Sequence, residues 1–318
     1  MRAPICIFLA VFCLASRAPA TEEQREEYLF DWIPGATMRV RTFAGVIRVA
    51  PTDESQARLV VYKIPAATEP AAARRWLDET AVTVAQANGT MSVEGRDQGP
   101  LLRFTLGPHA EGELRFELYL PQQTRLDLET GRGRIEVGPE WVGDVRARVE
   151  SGNIALGRID GDVDASVEVG EIQLSRATGD ATLRTSRGSL AVGTVSGRAV
   201  LETRSGDIDI LRARGGLDAR ATAGDVKAGF ARVLPVASSI VVSGGNLTVA
   251  VDPDADLTLE ATSFLGRVVA SGVSVAPGRK PARRHLVGSL NAGGALLKLH
   301  ANGGNVMLVG EPEQLAGF

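Results

Sequence analysis

Eighteen residues separate each glycine from the next in the series Gly152, Gly170, Gly188, Gly206 and Gly224. No other feature restricts the fold so strongly, because a fixed period of this length makes a chain a stack of equivalent units. From Val145 the segments read VRARVESGNIALGRIDGD, VDASVEVGEIQLSRATGD, ATLRTSRGSLAVGTVSGR, AVLETRSGDIDILRARGG and LDARATAGDVKAGFARVL. A second series, Gly161, Gly179, Gly197 and Gly215, keeps the same phase. The preceding segment starts at Leu126, carries Gly133 and Gly143, and is one residue longer.

Within each segment the first, third, fifth, tenth, twelfth and fifteenth positions are apolar; Thr185 and Thr203 are the exceptions. Their neighbours are mostly Arg, Asp, Glu, Ser or Thr, which is the period-two signature of strands with one buried face. The alternation slips twice per segment, and the glycines sit near the slips, where the chain turns a corner. Each segment therefore predicts a coil of two strands, and repetition without drift predicts parallel stacking. Six apolar side chains stabilise less than the ordering of eighteen backbone residues costs, so no coil stands alone. An outward column, Glu129, Arg148, Ser166, Arg184, Glu202 and Arg220, offers charges that can pair between adjacent coils.

The frame extends past the regular block. Gly245 is followed by Leu247 and Val249, Gly266 by Val268 and Ala270, and Gly304 by Val306 and Leu308. Leu297, Leu299 and Ala301 precede Gly304 at first-strand spacing; Met38, Val40 and Thr42 precede Gly45, with Ile47 and Val49 after it. The largest interruption, 51–125, contains strand patterns at 59–61, 81–84 and 113–120. It also predicts a short helix over Thr68–Thr80, with Thr68 as its N-cap and Pro70 in its first turn. The expected organisation is a signal peptide at 1–20, a strand-rich N-terminal cap with one helix at 21–125, solenoid repeats at 126–310 and a tail at 311–318. The fold class is all-β: a parallel, β-helix-like β-solenoid of about 18-residue, two-strand coils. An antiparallel meander with the SG and RG pairs at hairpin tips is the competing arrangement.

The first twenty residues carry Arg2, an apolar run from Ile5 to Ala15, and Ala18-Pro19-Ala20 before Thr21, the layout of a cleaved export signal. Both cysteines, Cys6 and Cys13, lie in that segment, so the chain after cleavage has no thiol to form a disulfide or bind a metal. A net charge of −3 gives no reason to expect nucleic acid as a partner.

Gly45-Val46-Ile47-Arg48-Val49, the Leu120-Pro121 step, Thr130–Val137 (TGRGRIEV) and Thr203–Ile210 (TRSGDIDI) follow one scheme. It is a G-x-I-x-V coil, a strand-rich insertion closed by proline, and then repeated t-x-x-G-x-I-x-l coils. In this the chain resembles the putative-adhesin family of uncharacterised bacterial envelope proteins, over nearly all its length after residue 20. The resemblance implies a solenoid, and it brings no catalytic residue, cofactor or metal ligand with it.

Reactive constellations are sparse. His109, His285 and His300 have no metal-ligand spacing, and G-x-S-x-G, P-loop and dinucleotide signatures are absent. Asp160, Asp162 and Asp164 cluster at one corner, while Asp144, Asp162 and Asp180 form a ladder able to offer oxygen ligands to Ca²⁺. Aspartate beside glycine is also an ordinary turn residue. Asp207 and Asp209 share an outward face. Gly278–His285 (GRKPARRH) is the densest basic stretch, and Asn88 and Asn246 head glycosylation sequons at expected turns. The expectation is a non-enzymatic, exported envelope protein, periplasmic or at the cell surface, binding an envelope protein or polysaccharide. The alternative is a carbohydrate-active β-helix enzyme using corner carboxylates, with or without calcium.

Overall fold

The computed structural model describes residues 23–67, 69–98, 112–278 and 282–310. The proposed signal peptide with Cys6 and Cys13, Thr68, His109, residues 279–281 and the tail lie outside the described residues. The chain divides into two compact units, Met1–Gly143 and Asp144–Phe318.

The first unit is built on β2 (Thr37–Thr52), which follows β1 (Gln24–Asp31). Next come β3 (Gln56–Pro65), α1 (Pro70–Glu79), β4 (Thr80–Ala87), β5 (Thr90–Asp97), β6 (Gly112–Pro121) and β7 (Arg125–Val142). One edge of β2 pairs in parallel with β7 along both halves of the coil, Met38 opposite Leu126 and Ile47 opposite Ile135. The other edge is shared: β5 covers residues 37–42 and β6 covers 45–52, again in parallel. Antiparallel strands then extend outward, β4 on β5, and β3 on β6 followed by β1 on β3. Met38, Val40, Ile47 and Val49 are buried, as their alternation requires.

The helix begins one residue later than expected. Glu69 occupies the N-cap without a side-chain hydrogen bond, and Pro70 stands in the first turn, where its missing N–H costs nothing. Its buried face is Ala73 and Trp76, and the indole lies so close to Gly112 that any Cβ there would overlap it. The Leu120-Pro121 step is anchored by tryptophans. Trp32 Nε1 donates to Thr124 Oγ1 at 2.8 Å, that hydroxyl donates to the Pro121 carbonyl at 2.7 Å, and Trp141 Nε1 donates to the Thr124 carbonyl at 3.2 Å.

The second unit opens with β8 (Val145–Asp160), β9 (Val163–Val169), β10 (Ile172–Ala177), β11 (Ala181–Arg187), β12 (Leu190–Val195) and β13 (Ala199–Ser205). It continues through β14 (Ile208–Ala213), β15 (Leu217–Ala223), β16 (Val226–Phe230), β17 (Ser238–Gly244) and β18 (Leu247–Ala250). Every pairing among these strands is parallel, which removes the antiparallel meander. Ile154, Ile172, Leu190, Ile208 and Val226 face one another in register, all buried. Val145, Val163, Ala181, Ala199 and Leu217 form the matching first-strand column. The two threonines in core positions are satisfied: Thr185 Oγ1 donates to the Gly170 carbonyl at 3.1 Å and Thr203 Oγ1 to that of Gly188 at 3.2 Å. One position departs from the frame. Phe230, not Ala231, lies opposite Ala213 and fills the fifteenth-position slot of its coil.

The end of this unit is not stacked in chain order. After β17 and β18 come β19 (Leu257–Ser263), β20 (Val268–Ser271), β21 (Ala276–Pro277), β22 (His285–Leu290), β23 (Ala295–Ala301) and β24 (Val306–Val309). In space, β23 sits between β17 and β19, and β24 between β18 and β20. The last coil is thus inserted into the stack, and the coil before it is pushed to the end, where β22 covers β19 antiparallel. The side chains suit this exchange. Leu297, Leu299, Ala301, Val306 and Leu308 are all buried, as interior coils need, whereas Val269 and Ala270 on β20 are exposed. Among the described residues no helix is long and apolar enough to cross a membrane.

Candidate functional site

The corners are held by side chains that reach from one coil to the next. Asp144, Asp162 and Asp180 accept hydrogen bonds from the backbone N–H of Asp162, Asp180 and Arg198, at 3.1, 2.8 and 2.8 Å. This is the carboxylate ladder that the sequence offers to calcium, and one oxygen of each carboxylate is used structurally. Asp160, Asp162 and Asp164 do not converge. Asp160 takes the Thr178 hydroxyl at 2.5 Å, Asp162 the backbone, and Asp164 the Arg146 guanidinium at 3.3 Å. No grouping of three His, Cys, Asp or Glu side chains suited to a metal ion occurs among the described residues.

A second ladder follows the corner glycine. Asn153 accepts from the N–H of Glu171, Asp207 from Asp225, Asp225 from Asn246, Asn246 from Asn305, and Asn305 from Arg267. The Asp225–Asn246 bond is 2.7 Å. This column also records the inserted coil, since it passes from Asn246 to Asn305 and only then to Arg267.

Beside it runs the outward column Asp209, Lys227, Thr248 and Met307, in register across four coils. The two columns line an open depression of about 430 Å³, with Asp207, Asp209, Asp225, Lys227, Asn246, Thr248 and Asn305 as its polar groups. Burial raises the pKa of the Asp209 carboxyl; Lys227 opposes that rise, and the like charges of Asp207 and Asp225 add to it. The depression is thus rich in acceptors and carries one ammonium. It can hydrogen-bond polyols or amides. The sequence singles out Asp207 and Asp209 as an outward pair and Asn246 as a sequon asparagine; Asp225, Lys227 and Asn305 join them only through the stacking of the coils.

The remaining sequence candidates are separate. On the opposite strands, Glu202 stands between Arg184 and Arg220, at 3.1 and 3.5 Å, so this part of the expected charge column pairs, whereas Glu129 meets Arg41 at 3.3 Å. His300, Thr262 and His285 follow in register on the same outward row. His285 Nδ1 lies 3.1 Å from Thr262 Oγ1, and His300 Nε2 lies 2.7 Å from Asn302 Oδ1. Asn88, at a φ of 50°, turns between β4 and β5, while Asn246 belongs to the ladder above. Of the basic stretch, Arg283 and Arg284 are exposed, and their carbonyls accept from the N–H groups of Val268 and Ser263.

Residues 65–308 match the family model described as Toastrack DUF4097. No curated protein matches the chain. Among solved structures it is similar to a putative adhesin from Bacteroides fragilis NCTC 9343, at 12% identity and a TM-score of 0.40, covering 92% of this chain and 98% of that one. A putative cell adhesion protein from Clostridium sporogenes ATCC 15579 aligns at 10% identity and a TM-score of 0.22, over 91% and 99% of the two chains. A putative adhesin from Parabacteroides distasonis ATCC 8503 aligns at 10% identity and a TM-score of 0.35, over 90% and 97%.

Proposed function

This chain belongs to the Toastrack DUF4097 family, and we propose that it is an exported, non-enzymatic protein of the cell envelope. Its solenoid surface binds an envelope protein or polysaccharide, and residues 1–20 serve as the export signal ahead of a 21–125 cap and 126–310 repeats. The observation that carries this reading is the use made of the acidic side chains. Asp144, Asp162, Asp180, Asp207 and Asp225 each accept the backbone N–H of the coil above, so these carboxylates act as coil-to-coil ties, and Asp209 is left as the one untied carboxylate lining the depression. A hydrolase needs its carboxylates uncommitted and set as an acid and base pair. A surface of repeating columns instead suits recognition of an extended partner.

The test takes the chain from Thr21, which keeps every described residue, and measures both binding and turnover against envelope glycans and extracted envelope proteins. Saturable binding without product is expected. Product formation that disappears in Asp207→Asn/Asp209→Asn would overturn the proposal in favour of a carbohydrate-active enzyme. Export is tested separately by N-terminal sequencing of envelope-fraction protein, with Thr21 the expected first residue.

A further inference from the structure

The last coil in space breaks the repeat at one corner. In the other coils of this unit the two residues before the corner glycine are Glu150-Ser151, Glu168-Val169, Ser186-Arg187, Arg204-Ser205, Thr222-Ala223, Ser243-Gly244 and Asn302-Gly303. These pairs are polar or small, apart from Val169. At the terminal coil the pair is Phe264-Leu265, with 67% and 64% of their surfaces exposed. Their backbone N–H groups donate to the carbonyls of Ala301 and Asn302 at 2.9 and 3.0 Å, so the backbone is tied to the coil beneath while the side chains project from the surface. Val269, 45% exposed, stands on the adjoining strand β20.

Basic residues flank this apolar corner. Arg267 follows Gly266, and its N–H is fixed by Asn305 Oδ1 at 3.0 Å. Arg283 and Arg284 are brought alongside by the hydrogen bonds from Val268 and Ser263 to their carbonyls, at 3.0 and 2.9 Å. All three arginines are exposed, and no acidic partner for them is found among the described residues. Arg283 and Arg284 therefore lie against the one corner of this unit, among the described residues, that carries a large aromatic and a large aliphatic side chain.

We infer that this terminal corner is a docking surface for a lipid bilayer bearing anionic headgroups. Phe264 and Leu265 enter the boundary between headgroups and acyl chains, and Arg267, Arg283 and Arg284 hold phosphates. Exposed aromatic and aliphatic side chains among unpaired arginines are the chemistry of interfacial binding. An acidic polysaccharide would need the arginines and have no use for the apolar pair. A second copy of this chain would bring three like charges against three.

The test is co-sedimentation of the chain from Thr21 with vesicles of phosphatidylcholine containing 30% phosphatidylglycerol, and with phosphatidylcholine alone. Partitioning onto the anionic vesicles is expected to exceed that onto neutral ones about tenfold and to weaken with salt. Phe264→Ser/Leu265→Ser, which installs the residue type found at equivalent corners, should lower it about tenfold. Arg267→Gln/Arg283→Gln/Arg284→Gln should abolish the preference for anionic lipid, and both variants should keep the parent melting temperature. Equal binding to both vesicles, or binding unchanged in either variant, overturns the inference. So does polygalacturonate binding that the Phe264/Leu265 variant retains in full, or a dimer in light scattering that this variant dissolves. None of these outcomes depends on export, so the vesicle result and the proposed envelope role fail independently.

Discussion

Replacing Gly188 by alanine measures how tightly the coils are locked together. Gly188 has a φ of +143°, and a Cβ built on it would overlap the carbonyl of Gly170 directly below. Backbone strain at such a φ costs about 1–3 kcal/mol. Relieving the overlap means parting two coils at a carbonyl that also accepts the Thr185 hydroxyl, beside the Gly170 N–H to Arg187 and Gly188 N–H to Ser205 bonds, each 2.8 Å. Losing one or two such bonds adds about 1 kcal/mol apiece. The expected total is about 4 kcal/mol. Gly293 is the control: its φ is +75°, but a Cβ there meets only Ser289 and Thr258 atoms at ordinary contact distances of 3.6 and 3.7 Å. Gly293→Ala should cost about 1–2 kcal/mol, from φ alone. Urea unfolding followed by far-ultraviolet circular dichroism gives both values from the midpoint shift. Equal losses in the two variants, or no loss at Gly188, would refute the close backbone approach on which the stacking depends.

Three further outcomes are expected. Ile172→Ala, which empties a buried site between Ile154 and Leu190, should destabilise by about 2–5 kcal/mol in the same urea assay. Asp225→Ala leaves the Asn246 N–H without its acceptor and should cost about 1–2 kcal/mol, while Asp225→Asn, which keeps an oxygen there, should cost less than half of that. Asp209 has its pKa raised by burial in the folded state, so the native form binds the proton more tightly than the unfolded chain. The contribution of Asp209 to stability should therefore fall as pH rises through the usual carboxylate range. Asp209→Asn should be more stable than the parent at pH 7 and indistinguishable from it at a pH below that range, as read from melting temperatures.

What the sequence disclosed was whatever repeats. Gly170 and Ile172 recur in phase with their equivalents because each coil must present the same small residue to a neighbouring carbonyl and the same branched residue to a shared core. The parallel registers and the buried columns follow from that period. The order of the last coils does not, because coils with equal spacing and equal apolar positions are interchangeable to a pattern reader. Only burial distinguishes strands 297–301 and 306–309, whose inward side chains are all buried, from the half-exposed β20. The ladder of Asp144, Asp162 and Asp180 was legible as a column, but its oxygens point along the stack to the next backbone N–H, a direction that spacing alone does not encode. Phe230 took the place of Ala231 because the register shifts by one residue after Ile210. The depression around Asp209 and the apolar corner at Phe264 both depend on which coil lies next to which, and so became visible only with the coils in place.

Proximity trapping addresses this arrangement most directly, since the chain from Thr21 has no cysteine of its own. Val241→Cys/His300→Cys joins positions that pair in register, whereas Val241→Cys/Thr262→Cys joins positions separated by the inserted strand β23. With dibromobimane, a short fluorogenic thiol cross-linker, the first pair should close within the folded monomer and the second should not. Closure of the second pair and failure of the first would mean that the coils stack in chain order, contrary to the account given for this fold.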